Sequence, residues 1–143
     1  MKAIEGGCLC GAVRYSAAAE PLMTRACWCR VCQYCAAGNA TINVVFPKDA
    51  VTITGELKDY SSTADSGSKM HRRFCPACGT PMFSESEARP TLIIVRGGTL
   101  DDPGIARASA LIWTKSAPGW AHLDLDLPHF EGQPPPPAQA KPA

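Results

Sequence analysis

Eight cysteines in three clusters constrain this 143-residue chain more than any other feature. The clusters are a C-L-C pair, a group of four within nine residues, and a C-P-A-C pair: Cys8 and Cys10; Cys27, Cys29, Cys32 and Cys35; Cys75 and Cys78. Cysteine makes up about 6% of the chain, below the level of a small secreted disulfide scaffold. Thiols stay reduced in the cytosol unless a metal holds them. The clustering therefore favours metal sites over disulfides.

Composition and charge fit one globular domain without a nucleic-acid or membrane partner. Apolar residues make up 45% of the chain and charged residues 19%, and 14 basic against 13 acidic side chains give a formal charge of +1. That balance offers no basic face for nucleic acid. The longest aliphatic run, residues 92–95, is too short to span a bilayer, and the N-terminal segment lacks the apolar core of a signal peptide. We therefore expect a cytoplasmic protein.

The segments between the cysteine clusters are predicted mainly as strands. Five segments are bounded by Gly, Pro, Asp or Ser and most are rich in β-branched or aromatic residues: residues 12–16, 40–46, 51–54, 68–74 and 91–96. Residues 30–37 predict one or two helical turns, and no long helical periodicity is present. The predicted class is mainly β, in a single domain over residues 1–131. Residues 132–143 are rich in proline and predict a disordered C-terminal tail.

The C-P-A-C pair, Cys75 and Cys78, fits one half of a structural zinc site. Zinc prefers four tetrahedral ligands, and four thiolates close such a site. Gly79 follows the second cysteine and permits the positive φ of a tight knuckle. The alternative is a redox dithiol, which usually opens a helix. The Gly-Thr-Pro run after Cys78 opposes a helix and favours zinc.

The C-L-C pair, Cys8 and Cys10, is a plausible other half. In a strand, residues two apart point to one face, so the two thiols can share a site. Glycines on both sides allow a sharp bend around an ion. The alternative is two buried free cysteines. Such a site would join distant parts of the chain, and its metal-binding energy would be folding energy.

The middle cluster predicts a different kind of site. Three thiols make an incomplete zinc shell whose open position can take a substrate atom. Four thiols close the shell and make the site purely structural. The spacing leaves three ligand sets open, namely residues 27, 29 and 32, residues 29, 32 and 35, or all four cysteines.

Three ordered cysteine motifs resemble those of the glutathione-dependent formaldehyde-activating enzyme family, which includes the centromere protein V branch. The motifs are G-G-C-L-C-G-A-V-R-Y, C-W-C-R-V-C and F-C-P-A-C-G-T. The later runs G-G-T-L-D-D-P and I-W-T-K-S-A-P-G-W are similar to the same family. The likeness covers roughly residues 5–131 and, with three motifs in order, is much more specific than one C-x-x-C pair.

The resemblance implies a β-tent fold, in which two twisted antiparallel sheets meet around a structural zinc ion. Carried over by motif, the structural ligands are Cys8, Cys10, Cys75 and Cys78, and the catalytic ligands are Cys27, Cys29 and Cys32. The implied function is that of a zinc-dependent carbon–sulfur lyase, which adds a small thiol, glutathione, to formaldehyde or a related small aldehyde. Two zinc ions are expected, with the second one more labile. The competing interpretation is a non-enzymatic, zinc-stabilised protein-binding module with the same fold.

Three departures from the family pattern indicate a divergent branch. Trp28 stands where many members have histidine, Cys35 is an additional thiol, and Ala110 begins a segment where related sequences often place histidine. These departures bear on the substrate more than on the fold. The aldehyde therefore need not be formaldehyde.

Other side chains are secondary candidates. Arginine binds carboxylates in a bidentate manner, so the predicted anchors for the glutathione carboxylates are Arg25, Arg30, Arg72 and Arg73. Trp28 is assigned to the pocket wall or to the core, and Trp113 and Trp120 to packing. The histidines match no ligand spacing and are assigned to surface or structural positions: His71, His122 and His129. The oligomeric state is left open.

Overall fold

Ten short strands and one short α-helix are present in the structure, a computed structural model that describes residues 2–135. The strands are β1 (Ile4–Gly7), β2 (Arg14–Ala17), β3 (Met23–Cys27), β4 (Thr41–Pro47), β5 (Val51–Thr54), β6 (Lys58–Thr63), β7 (Lys69–Phe74), β8 (Pro81–Ser86), β9 (Leu92–Arg96) and β10 (Ala110–Ile112). The helix is α1 (Arg30–Cys35), and single 3₁₀ turns cover Lys48–Ala50, Gly97–Thr99, Pro103–Ile105 and Thr114–Ser116. The predicted mainly β class is confirmed. Within residues 2–135, every helix is too short or too polar to cross a bilayer.

The strands form two sheets. The larger has seven strands in the order β10-β3-β4-β9-β8-β7-β6, and the smaller has three in the order β1-β2-β5. All pairs are antiparallel except β10 with β3, which run parallel with Ile112 opposite Cys27. This one parallel contact places the segment after β10 beside the middle cysteine cluster.

The main hydrophobic core contains side chains from both sheets. Val44 and Phe46 of β4 are fully buried in it, and Tyr15 of β2 packs edge-on against Phe83 of β8 with ring centroids 5.3 Å apart. Strand residues alternate between faces, so Asn43 and the other residues of its parity on β4 face the opposite side. The larger sheet therefore separates the core on one face from a cavity on the other.

The five predicted strands are all found, with boundaries that differ by at most two residues, as β2, β4, β5, β7 and β9. The other five strands were not predicted because they lack a run of β-branched residues or carry cysteine, charge or proline. Beyond residue 131 the chain still touches the domain. The N–H of Trp113 donates to the carbonyl of Gly132 at 3.3 Å, and its indole Nε1 donates to Gln133 Oε1 at 3.1 Å. Residues 136–143 of the predicted tail lie outside the described residues.

A histidine bridges two carboxylates on the outer edge of the larger sheet. His71 Nδ1 lies 2.8 Å from Asp59 Oδ2, and its Nε2 lies 2.8 Å from Glu87 Oε2. Both ring nitrogens can donate hydrogen bonds only when the imidazole is protonated. The hydrogen bond to Asp59, followed by the one to Glu87, therefore raises the pKa of His71 above its ordinary value of 6.5.

We expect the substitution Asp59→Asn to lower the pKa of His71, as measured by the pH titration of its ring protons in NMR spectra. The pKa of His71 is higher in the folded state than in the unfolded state. Protonated His71 therefore stabilises the fold fully at a pH below its unfolded-state pKa, and this stabilisation is lost as the pH rises through its folded-state pKa. His122, which is not one of these three side chains, serves as the internal reference. An unchanged His71 titration in the variant would contradict this prediction.

Candidate metal centres

Four thiols from distant parts of the chain meet in what we call the outer cluster: Cys8, Cys10, Cys75 and Cys78. Their sulfur atoms all lie within 4.8 Å of one another. Cys8 Sγ lies 3.6 Å from Cys10 Sγ, which lies 3.8 Å from Cys75 Sγ. A tetrahedron with Zn–S bonds of about 2.3 Å has sulfur–sulfur edges of about 3.8 Å. The donor set therefore fits a structural zinc ion.

Tight turns, rather than strands, present these thiols. β1 ends at Gly7, so Cys8 and Cys10 occupy the turn before β2, and the expectation that they share one face of a strand is wrong. The N–H of Gly11 donates to the carbonyl of Cys8 at 3.1 Å, with Gly11 at φ +82°. The turn between β7 and β8 is similar, since Gly79 has φ +76°. Each pair is thus a knuckle that turns both sulfurs inward.

Nearby donors support the thiolate forms of Cys8 and Cys78 in the outer cluster. The N–H of Val13 donates to Cys8 Sγ at 3.2 Å. The hydroxyl of Thr80 lies 3.1 Å from Cys78 Sγ and lowers the pKa of that thiol to about 5. The same hydroxyl oxygen accepts the N–H of Leu9 at 3.2 Å, so Thr80 links the two halves of the cluster. These are the outer-shell contacts that thiolate ligands require.

Three buried thiols form what we call the inner cluster: Cys27, Cys29 and Cys32. Their sulfur atoms also lie within 4.8 Å of one another. Cys27 ends β3, and Cys29 is the N-cap of α1, where its Sγ accepts the N–H of Cys32 at 3.3 Å. Cys35 ends α1, is half-buried, and is not part of this group. The structure therefore brings together residues 27, 29 and 32 among the three ligand sets that the spacing left open.

The three thiols of the inner cluster compete for one negative charge. Hydrogen bonding to Cys29 and Cys32, together with burial, raises the pKa of Cys27. The matching contacts with Cys27 and Cys29 lower the pKa of Cys32. Three thiolates at this spacing would repel one another strongly unless a cation lay between them. Among residues 2–135, no fourth Cys, His, Asp or Glu ligand atom joins this set.

The inner cluster opens onto a cavity of about 230 Å³ on the face of the larger sheet away from the core. Strands β3, β4, β7, β8 and β9 form its floor, the loop at residues 64–68 forms one side, and Trp113 with Gln133 forms another. Four arginines line it: Arg25, Arg72, Arg89 and Arg96. Burial, and then the charge of Arg89, lowers the pKa of Arg25. This crowding of like charges suits an anionic ligand.

The structure separates the four predicted carboxylate anchors into two pairs. Arg25 and Arg72 line the cavity. Arg30 instead donates to Gln33 Oε1 at 2.7 Å and lies over an exposed tyrosine ring, and Arg73 pairs with Glu85. Arg89 and Arg96, which sequence reasoning missed, also line the cavity.

The three tryptophans occupy different environments. Trp28 is buried and its N–H donates to the carbonyl of Ile112 at 3.0 Å, so it belongs to the interior rather than to the cavity wall. Trp113, assigned to packing, lines the cavity and has a left-handed backbone with φ +58°. Trp120, also assigned to packing, is 64% exposed.

A buried glutamine fixes the inner cluster to the segment that follows β10. Gln33 Nε2 donates to the carbonyl of Trp28 at 2.8 Å and to the carbonyl of Ser116 at 2.9 Å.

We expect Gln33→Ala to lower the free energy of unfolding by about 2 kcal/mol, because both carbonyls lose a donor. Urea denaturation measures this effect. Tyr34→Ala is the matched control, since Tyr34 is the next residue of α1 and is 79% exposed. Equal stability of the two variants would contradict the prediction.

A family model identifies the family of this chain, and a solved structure shares its fold. The sequence model of the family described as "Glutathione-dependent formaldehyde-activating enzyme" matches residues 3–116. A comparison with curated proteins finds no significant match. A Northeast Structural Genomics crystal structure of a Rhodobacter sphaeroides protein has a similar fold, with a TM-score of 0.56 at 20% identity, covering 88% of this chain and 98% of that one. The family match spans most of the chain and includes both cysteine clusters. This chain therefore belongs to the glutathione-dependent formaldehyde-activating enzyme family.

Proposed function

We propose that this protein is a zinc-dependent carbon–sulfur lyase that adds a small thiol, glutathione in the family's reaction, to formaldehyde or a related small aldehyde. We assign the activity to a single domain, residues 1–131, acting in the cytoplasm. The observation that supports it most is the inner cluster, in which three buried thiols without a fourth ligand among residues 2–135 open onto a cavity lined by arginine. This is the ligand count of a catalytic zinc site rather than a structural one.

In this proposal, the chain holds the metal and positions the two reactants. A zinc ion bound by Cys27, Cys29 and Cys32 supplies an open coordination position and Lewis acidity. Arg72 and Arg89 of the cavity bind the carboxylates of the thiol substrate, and Trp113 restricts water on one side. The thiol sulfur then bonds to the carbonyl carbon, the π electrons pass to the oxygen, and the thiol proton ends on that oxygen. Holding the two reactants side by side provides much of the rate gain.

The outer cluster has a structural role in this proposal. Its four thiols fit a closed zinc shell, and Cys75 is completely buried in the main core. We therefore assign a tightly held zinc ion to the outer cluster and a more labile one to the inner cluster.

The direct test is exchange NMR spectroscopy of glutathione with formaldehyde, with and without the zinc-loaded protein. Faster exchange with the protein, together with one zinc ion that glutathione labilises, supports the enzyme. Equal exchange rates in the two samples would remove the enzymatic claim. Two equally inert zinc sites would favour the protein-binding module instead.

A further inference from the structure

Arg96 is a buried cation without a carboxylate partner among residues 2–135. It ends β9 on the cavity side of the sheet and is 8% exposed. Its Nη1 donates to Asn43 Oδ1 at 2.5 Å, while its Nε is buried and has no hydrogen-bond partner among residues 2–135. Over the same residues, no carboxylate oxygen lies within 4.0 Å of it. Buried charges are normally paired, so Arg96, with its unpartnered Nε, favours an anion in the cavity.

Arg96 belongs to a row of polar side chains that crosses three strands. Asn43 lies opposite Arg25 on β3 and opposite Arg96 on β9, and all three side chains line the cavity. Cys27 lies two residues after Arg25 on the same face of β3, a separation of about 7 Å along the strand. The row, which we call the arginine row, therefore runs directly beside the inner cluster.

The cavity carries more positive charge than the chain itself neutralises. Glu85 is bound by Lys48 and by Arg73. A zinc ion with three thiolates would carry a charge of about −1 and would offset one of the four arginines. Asp65 offsets at most one more. The remaining positive charge faces the cavity.

We propose that the arginine row binds a carboxylate beside the inner cluster, and that the carbonyl substrate is a small 2-oxo acid. This inference rests on the proposed thiol addition and specifies its substrate class. In a 2-oxo acid, the carboxylate is attached to the reacting carbon, which places it next to the new carbon–sulfur bond. The carboxylates of glutathione are several bonds away from its sulfur, and Arg72 and Arg89 remain for them. The bonding changes are those of the proposed addition, with the carboxylate unchanged.

Binding of a simple carboxylate tests the row without turnover. The probe is acetate, with acetamide as its neutral counterpart, measured by ligand-observed NMR on the zinc-loaded protein and on the Cys29→Ser variant. We expect acetate to bind both proteins, acetamide to bind neither, and Arg96→Gln to weaken acetate binding at least about tenfold. Arg107→Gln, at an exposed arginine outside the cavity, is the matched control. Arg25→Gln is the second variant if Arg96→Gln does not fold.

Acetate binding that neither Arg96→Gln nor Arg25→Gln changes would overturn the site. Acetate binding that requires the inner zinc ion would also overturn the site, since the metal would then bind the ligand. Because this experiment involves no thiol, it can fail while protein-dependent exchange of glutathione with formaldehyde persists. The carboxylate site and the proposed function are therefore tested separately.

A second experiment tests whether the bound carboxylate belongs to the carbonyl substrate or to the thiol, by changing each of the two in turn. The carbonyl probes are glyoxylate and neutral acetaldehyde, and the thiols are glutathione and cysteamine, which has no carboxylate. We expect Arg96→Gln to slow addition to glyoxylate about tenfold or more with either thiol, and to leave addition to acetaldehyde nearly unchanged. A loss that follows glutathione instead of glyoxylate would assign the row to the thiol substrate and overturn the oxo-acid inference.

Discussion

Cys75→Ser is expected to leave the chain largely unfolded and without a tightly bound zinc ion. Cys75 is fully buried in the main core, and a serine hydroxyl there would be a poor zinc ligand. Structural zinc sites contribute about 10–16 kcal/mol in small domains, as much as the whole stability of a typical domain, about 5–15 kcal/mol. Loss of one ligand should therefore remove the cooperative transition. Circular dichroism during heating and zinc analysis by mass spectrometry measure both effects.

Cys35→Ser provides the control for this experiment. It removes one thiol that belongs to neither cluster and lies half-buried at the end of α1. We expect this variant to keep its zinc content and to melt near the temperature of the parent protein. If Cys75→Ser melted with the same cooperativity and zinc content as Cys35→Ser, the outer cluster would not be a structural metal site.

Cys29→Ser is expected to keep the fold but to reduce thiol addition to its uncatalysed rate. Serine is among the best N-cap residues, so it preserves the start of α1, where Cys29 now accepts the N–H of Cys32. The substitution thus removes a metal ligand with little change to the helix. Exchange NMR of glutathione and formaldehyde measures the rate, and zinc analysis should show the loss of one ion per chain.

The comparison with Cys35→Ser again separates a ligand from a nearby thiol. Full exchange activity in Cys29→Ser, with zinc content unchanged, would exclude the inner cluster as the reaction site. Loss of both zinc ions and of the fold would instead show that the inner cluster is structural.

Local spacing made the cysteine clusters predictable, because each half is encoded within a few residues. The knuckle at Cys75 and Cys78 followed from the C-P-A-C-G pattern, and Gly79 has the positive φ that a tight turn needs. Cys8 and Cys10 were predicted to lie in a strand, where residues two apart point to the same face. A tight turn can also bring both sulfurs to one side, so a shared site does not distinguish a turn from a strand. The residues made the pairing of the two halves plausible and the family resemblance implied it, since no local pattern encodes a contact across 65 residues.

Far fewer of the residues that line the cavity could be predicted from the sequence. Arg96 ends a predicted strand, but its place beside Arg25 depends on strand registers set by contacts distant in sequence. The only signal for Arg96 was a charged residue at the end of an otherwise apolar run. Trp113 lines the cavity because the chain turns with a left-handed backbone after the parallel β10–β3 pair, a conformation that a tryptophan does not predict.

The two clusters differ in how far apart their ligands lie along the chain, which should set the order in which metal is acquired. The inner thiols lie within six residues, so an unfolded chain can already chelate zinc there with almost no loop-closure entropy. Metal that binds the unfolded state adds little to stability. The outer thiols become neighbours only when both knuckles have assembled, and zinc there acts as a cross-link that closes residues 8–78, about half of the chain, into a ring. During refolding, the inner cluster should therefore bind zinc first, and the outer cluster should bind zinc only when the fold is complete.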